Sequence, residues 1–354
     1  MPIFNLRPTM STFLSGAYSC GIFENPSIPS LFLNWNIQWA FPLKKHSNDG
    51  VRFDYCPRLT MRRYKLLGMF QVHLFKTELP EILRDGRLTE VILNLLATGW
   101  YALMYVDYFH LPGTGQHLRQ HFRYGFLIFD HDVEAKEFKG ALYAKGQRFG
   151  AVTVPSDRLL EAVVSPVGRG KKYAGFGHGN SLIGIQPASG ADIFGKLNLS
   201  EIRMQLTHYL NSSMLPNDLI STPLIRSFCL ADKGKTSNAV FGINVYDQLR
   251  EYFNERSKSE FAGYDARTTR LLWEHKKLMK VRLLRMAQEG TPLDSGFLSQ
   301  WDEIEELAHW IHLKAVAAKQ QNDSKLLTSL NGYFDWLKSL EADFIRRLIR
   351  KMAP

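Results

Sequence analysis

WYALMYVDYFHLPGTGQHLRQHFRYGFLIFDHDVEAKEFKGALY, residues Trp100–Tyr143, is the stretch on which the fold turns. Its first ten residues, Trp100–Phe109, are an aromatic and β-branched run that stops at Leu-Pro-Gly-Thr-Gly. That composition between turn residues is a strand signal. Phe122–Phe129 is a second such run, Asp130-His131-Asp132 is expected to turn, and Phe138–Tyr143 is a third strand. Phe149–Val154 supplies a fourth candidate, and Ser156–Val163 then opens like a capped helix. Short connections between successive strands specify antiparallel neighbours. The strands are apolar on both faces, so the sheet is expected to be covered.

Upstream, Leu31–Leu43 alternates apolar and polar side chains with the period of a strand, and the spacing predicts helices over 67–84 and 88–98. Downstream, residues 164–180 are rich in glycine and basic side chains and read as a mobile loop or a boundary, followed by a last strand at 181–187. Beyond Leu197 the period becomes helical, with candidate helices at 199–212, 240–255, 265–288, 298–320 and 324–352. In the last of these Leu326, Leu327, Leu330, Tyr333, Phe334, Leu337, Leu340, Phe344 and Leu348 mark one apolar face. The expected fold class is therefore α+β, with an antiparallel sheet in the N-terminal half and a helical C-terminal half. The expected division is an α+β domain over 1–165, a basic loop and strand over 166–198, and a helical domain over 199–354.

Composition narrows the function. The chain has 354 residues, 45% of them hydrophobic and 22% charged, which is ordinary globular usage. No run approaches the ~20 apolar residues of a membrane helix, and the opening MPIFNLRPTM lacks the pattern of a secretory signal. A cytoplasmic protein is expected, with no membrane partner. The three cysteines match no zinc or redox spacing and read as free thiols. The net charge is +10, with a local concentration of Arg267, Arg270, Lys276, Lys277, Lys280, Arg282 and Arg285 around the single acid Glu274. Such a surface favours an acidic partner. Trp273-Glu274-His275-Lys276 points its polar groups in different directions from one helix, and a surface or interdomain ion-pair network is expected there. The cluster Arg346, Arg347, Arg350 and Lys351 suits a helix C-terminus and reads as a solvated face.

No P-loop, Rossmann glycine pattern, GxSxG elbow or HExxH is present, and no cofactor is expected. Gly168-Arg169-Gly170-Lys171-Lys172 is either a flexible linker or a phosphate contact. His117 and His121 would share a helical face, but no third metal ligand is evident. Cys20 precedes the sheet, and His121, Asp130, His131 and Asp132 flank its second strand. A thiol, an imidazole and a carboxylate are the parts of an activated cysteine nucleophile.

Tyr101–Pro112 (YALMYVDYFHLP) and Tyr124–Asp132 (YGFLIFDHD) resemble the sheet segment of the butirosin-type acyltransferase N-terminal family. Asn34–Gln38, Phe241–Leu249 and Glu274-His275-Lys276 are similar to segments of members of that family encoded beside nonribosomal peptide synthetases. The resemblance implies a papain-like N-terminal half and acyl transfer through a cysteine. The donor would be a thioester on an acidic acyl or peptidyl carrier protein, and the acceptor a small-molecule amine or hydroxyl. The family's strand histidine falls on Tyr124 here, so the base would be rebuilt on His121 or lost. The leading expectation is an acyltransferase or thioesterase of nonribosomal peptide or polyketide biosynthesis with Cys20 as the nucleophile and His121 as the base, and with Asp130 or Asp132 orienting it. Arg169, Lys171, Lys172, Arg267, Arg270, Lys276 and Lys277 would contact substrate or carrier. An alternative is a relative that only binds a tethered intermediate, or that uses Tyr124 with Asp130 for proton transfer. A nucleic-acid reading rests on charge alone, without a recognised module, and nucleic acid is not the expected partner.

Overall fold

The computed structural model describes residues 70–75, 78–143, 149–167, 182–187, 196–213, 240–258 and 267–352, and as backbone only the short strands at 39–42, 51–54, 172–173 and 177–178. In chain order the strands are β1 (Trp39–Pro42), β2 (Val51–Asp54), β3 (Phe70–Phe75), β4 (Tyr101–Asp107), β5 (Arg123–Asp132), β6 (Glu137–Tyr143), β7 (Phe149–Pro155), β8 (Lys172–Tyr173), β9 (Gly177–His178), β10 (Leu182–Pro187) and β11 (Val240–Phe241). The helices are α1 (Leu79–Arg84), α2 (Leu88–Ala97), α3 (Ser156–Val164), α4 (Leu199–Leu210), α5 (Val245–Lys258), α6 (Arg267–Gln288), α7 (Ser295–Gln321), α8 (Ser324–Thr328) and α9 (Leu330–Lys351). The chain forms two compact units, one of residues 1–27 with 58–192 and one of residues 28–57 with 193–354.

The first unit is built on a six-stranded sheet in the order β3-β10-β4-β5-β6-β7. Every neighbouring pair is antiparallel. Alternation along the strands sends Ala102, Met104 and Val106 of β4, Phe126 and Ile128 of β5 and Phe138 and Leu142 of β6 into one core with α1, α2 and α3. Leu103, Leu127 and Ile183, which point the other way, are equally buried, so the sheet is covered on both faces. The glycine-rich stretch does not end this unit, because β10 beyond it sits inside the sheet between β3 and β4. Residues 70–75 form a strand where a helix was expected. Phe-Gln-Val-His-Leu-Phe alternates over six residues, and pairing with β10 decides a segment too short for its period to be read reliably. The expected turn at Asp130–Asp132 is strand as well: β5 runs through Asp132 past a register shift at Ile128/Asp130, and the chain reverses at 133–136.

The second unit combines the small sheet β11-β1-β2 with α4 to α9. Asn198, Asp294 and Asp323 accept backbone N–H groups at the starts of α4, α7 and α8, as N-caps do. The single helix expected over 324–352 is two, α8 and α9. Helix α6 is central. Leu272, Leu278 and Leu283 are buried, and so are Glu274, His275, Lys276 and Arg282. The sequence around Trp273–Lys276 is therefore interior rather than surface, and its polar groups must find internal partners.

Candidate active site

Asp107 closes β4. Its Oδ1 accepts the Phe109 N–H at 3.2 Å, which starts the 3₁₀ turn Tyr108–His110. This is ordinary behaviour for an aspartate at a strand end. The chain then loops outward and returns as β5, in a register that sets Asp107 opposite Arg123. Thr114 ties the loop down by donating Oγ1–H to the carbonyls of Tyr108 and Leu111, both at 3.0 Å. Residues just ahead of Arg123 are thereby brought back to the end of β4. The Phe122 N–H donates to Asp107 Oδ1 at 3.0 Å, and His121 Nδ1 lies 2.7 Å from Asp107 Oδ2.

A fourth donor comes from the residue after α3. Ser165 Oγ–H donates to Asp107 Oδ2 at 2.7 Å. Ser165 is held by Arg123, whose buried guanidinium donates to the carbonyls of Val163, Ser165 and Val167 at 2.8, 3.0 and 3.4 Å. A cation on the last carbonyls of a helix is favourable on dipole grounds. Asp107 itself is fully buried. Burial alone would raise its carboxyl, but the hydrogen bonds from Ser165, His121, Phe109 and Phe122 together outweigh that and hold it below the ordinary carboxylate value. Four donors occupy the roughly four lone-pair sites of a carboxylate.

With a carboxylate on Nδ1, that nitrogen carries the proton and Nε2 presents its lone pair. The His121 side chain is 48% exposed and its ring stacks on Phe109 at 4.2 Å between centroids, so the free edge reaches solvent while the ring plane is braced. An imidazole oriented in this way is a general acid–base group. His110 stands beside it, with ring centres 6.1 Å apart and its Nδ1 3.4 Å from Glu161 Oε2.

The other expected site residues fall elsewhere. Asp130, His131 and Asp132 occupy the far end of β5, beyond His121 by nine residues or more and roughly 23–30 Å from the start of the strand at about 3.3 Å per residue. They do not orient His121. Asp130 accepts the His131 N–H, Asp132 accepts the Ala135 N–H, and the buried His131 ring rests against Phe138. Tyr124 is packed among the rings of Tyr108, Phe122 and Tyr143 against the core. Cys20, Arg169 and Lys171 lie outside the described residues, as do the side chains of Lys172 and Arg267. Arg270 pairs with Glu274 at 3.4 Å, and Lys277 is half-buried over the ring of Trp273.

Lys276 cannot dock a partner. Its Nζ is 2.5 Å from Glu341 Oε1, and neither side chain is exposed. Glu341 Oε2 also accepts the hydroxyls of Tyr209 and Tyr246, and His275 Nδ1 lies 2.9 Å from the Lys276 ammonium. Burial pulls the Lys276 ammonium down to about 8 against the opposing pull of Glu341. The cluster is sealed from solvent and belongs to the packing of the helical unit.

The orienting carboxylate, Asp107, was within reach of the sequence, because it stands at the end of an apolar strand directly ahead of Tyr-Phe-His-Leu-Pro. Ser165 and Arg123 carried no local signal. No family model matches the chain, and no curated protein sequence matches it either. Among the described residues no helix is long and apolar enough to cross a membrane.

Proposed function

We propose that the chain is a papain-like acyltransferase of natural-product biosynthesis, working on a carrier-bound thioester with Cys20 as nucleophile, His121 as base and Asp107 as the orienting carboxylate. The observation that carries this reading is the His121–Asp107 pair: a half-exposed imidazole whose Nδ1 is held at 2.7 Å by a buried, ionised carboxylate. The resemblance of Tyr101–Pro112 and Tyr124–Asp132 to the acyltransferase family supports the choice of a thiol nucleophile, and a net charge of +10 suits an acidic carrier.

In this mechanism His121 Nε2 takes the Cys20 proton as Sγ attacks the thioester carbonyl. The carrier thiolate leaves and receives that proton from the imidazolium. The acceptor amine or hydroxyl then attacks the acyl–cysteine, giving its proton to His121, and the proton passes on to Sγ as the new bond is completed. Asp107 keeps the tautomer fixed and stabilises the imidazolium formed in each half-reaction.

The test is intact-mass measurement after incubation with a panel of acyl-pantetheine thioesters. An increase of one acyl group, absent in Cys20→Ala and slowed about 10²–10⁴-fold in His121→Ala, is the expected result. Equal labelling of Cys20→Ala and the parent would overturn the assignment.

A further inference from the structure

Asp107, His110 and His121 offer three ligand atoms, all within 4.8 Å of one another. Two imidazoles and a carboxylate are a donor set of the late divalent transition metals, and three protein ligands leave the remaining position to water. The three come from the end of β4, the 3₁₀ turn that follows it and the residue two before β5, so the same hairpin register that builds the His121–Asp107 pair brings in the third donor.

Outer partners of the kind metal ligands require are in place for Asp107 and His110. Asp107 is held by the Phe109 and Phe122 N–H groups and by Ser165 Oγ. His110 has the Glu161 carboxylate at its Nδ1, and His121 is braced by Phe109. Bond lengths of about 2.0–2.2 Å in a tetrahedron put ligand atoms roughly 3.3 Å apart. Asp107 Oδ2 and His121 Nδ1, now 2.7 Å apart, must open by about 0.6 Å to admit an ion of that size. His121 is the movable partner, since half of its side chain faces solvent. The Asp107 lone pair that now accepts the His121 N–H becomes the one given to the metal, and the Nδ1 proton is exchanged through solvent for one on Nε2, which keeps the imidazole neutral and blocks that nitrogen as a base. The three other bonds to Asp107 stay as they are.

We propose that Asp107, His110 and His121 form a binding site for a divalent late transition metal, and that an ion bound there takes His121 out of use as a base. The first half stands on the geometry alone. The second half rests on the acyl-transfer reading.

The experiment is calorimetric titration of the untagged, chelator-dialysed full chain with Zn2+, and with Co2+ followed by its visible absorption. Expected are one ion per chain and a tetrahedral Co2+ spectrum. His110→Ala and His121→Ala should each weaken binding by about tenfold or more, and Ser165→Ala, which removes an outer partner, by about tenfold. His73→Ala, on the exposed edge strand β3, should leave binding unchanged. Absence of Zn2+ binding, or binding that neither His110→Ala nor His121→Ala weakens, would overturn the site. Thioester labelling is then repeated with and without Zn2+. Labelling abolished by Zn2+ and restored by chelator supports the inhibitory half, and labelling unaffected by a bound ion removes it. Zn2+ binding in a chain that never labels leaves the metal site standing and defeats the acyl-transfer reading. Labelling without Zn2+ binding does the reverse.

Discussion

Replacing Lys276 by methionine preserves most of the stem and deletes the ammonium from the middle of the helical unit. In the parent, Nζ lies 2.5 Å from Glu341 Oε1, with both side chains at 0% exposure. The variant leaves the Glu341 carboxylate buried, with the Tyr209 and Tyr246 hydroxyls as its donors among the described residues. Breaking a buried pair from one side costs about 3–5 kcal/mol. Two hydroxyl donors survive, so the lower end, about 3 kcal/mol, is expected. At roughly 2–4 °C per kcal/mol for a domain of this size, the melting temperature should fall by about 6–12 °C. Calorimetry at neutral pH reads it directly. The companion Lys276→Met/Glu341→Gln removes the stranded charge but keeps an acceptor for the tyrosines, and should recover at least half of the loss. A single variant within about 1 kcal/mol of the parent would refute the reasoning, because stranding a buried carboxylate costs more than that whether it stays ionised or takes up a proton from neutral solution. A double variant no better than the single would show that packing, not charge, carries the effect.

Ser165→Ala removes a charge-assisted bond to Asp107, worth about 1.5–3 kcal/mol. Asp107 has a lowered value in the folded state, so its stabilisation is present above the unfolded value and lost as pH falls through the folded one; in denaturant titrations the acid loss of Ser165→Ala should be smaller and complete at a higher pH than in the parent. Burial, reinforced by Arg270, His309 and Lys277, pulls His312 from 6.5 down to about 4. Between those values the unfolded chain takes up a proton that the folded chain refuses, so stability falls on acidification through that window, and His312→Gln should flatten the slope in urea melts at several pH values. Gly140 lies between β5 and β7, where a Cβ would come within 2.6 Å of the Leu127 carbonyl oxygen and press on the Phe126 ring. Gly140→Ala should cost about 1–3 kcal/mol in the same melts, and an unchanged midpoint would show that the sheet yields there.

Much of the architecture was legible along the chain. The apolar runs at 100–109, 122–129 and 138–143, cut by Pro, Gly and Asp, announced an antiparallel sheet, and the long helical periods after Leu197 announced α6, α7 and α9. The errors came at short or two-sided segments. Phe70–Phe75 has too few residues to separate period 2 from period 3.6, and β5 ran through a turn-rich triplet because β6 was there to pair with it. At the site, His121 was readable as a candidate base, but its partner was sought in Asp130 and Asp132, close along the same strand. An extended strand carries such neighbours away at about 3.3 Å per residue, while the antiparallel register brings back Asp107 from fourteen positions earlier. Ser165 arrives from still farther, and nothing beside it in the chain hints at a carboxylate.

The sequence by itself determined the class and order of the longer elements, the positive charge and the supply of imidazoles, because period, turn chemistry and composition act between residues close along the chain. Tertiary structure alone decided that Asp107 rather than Asp130 meets His121, that His110 joins them, and that Lys276 is an interior cation on Glu341 rather than part of a docking face. Those outcomes depend on sheet register and helix packing across tens of residues. Local patterning shows which side of an element is buried, and only the assembled fold shows what lies against it.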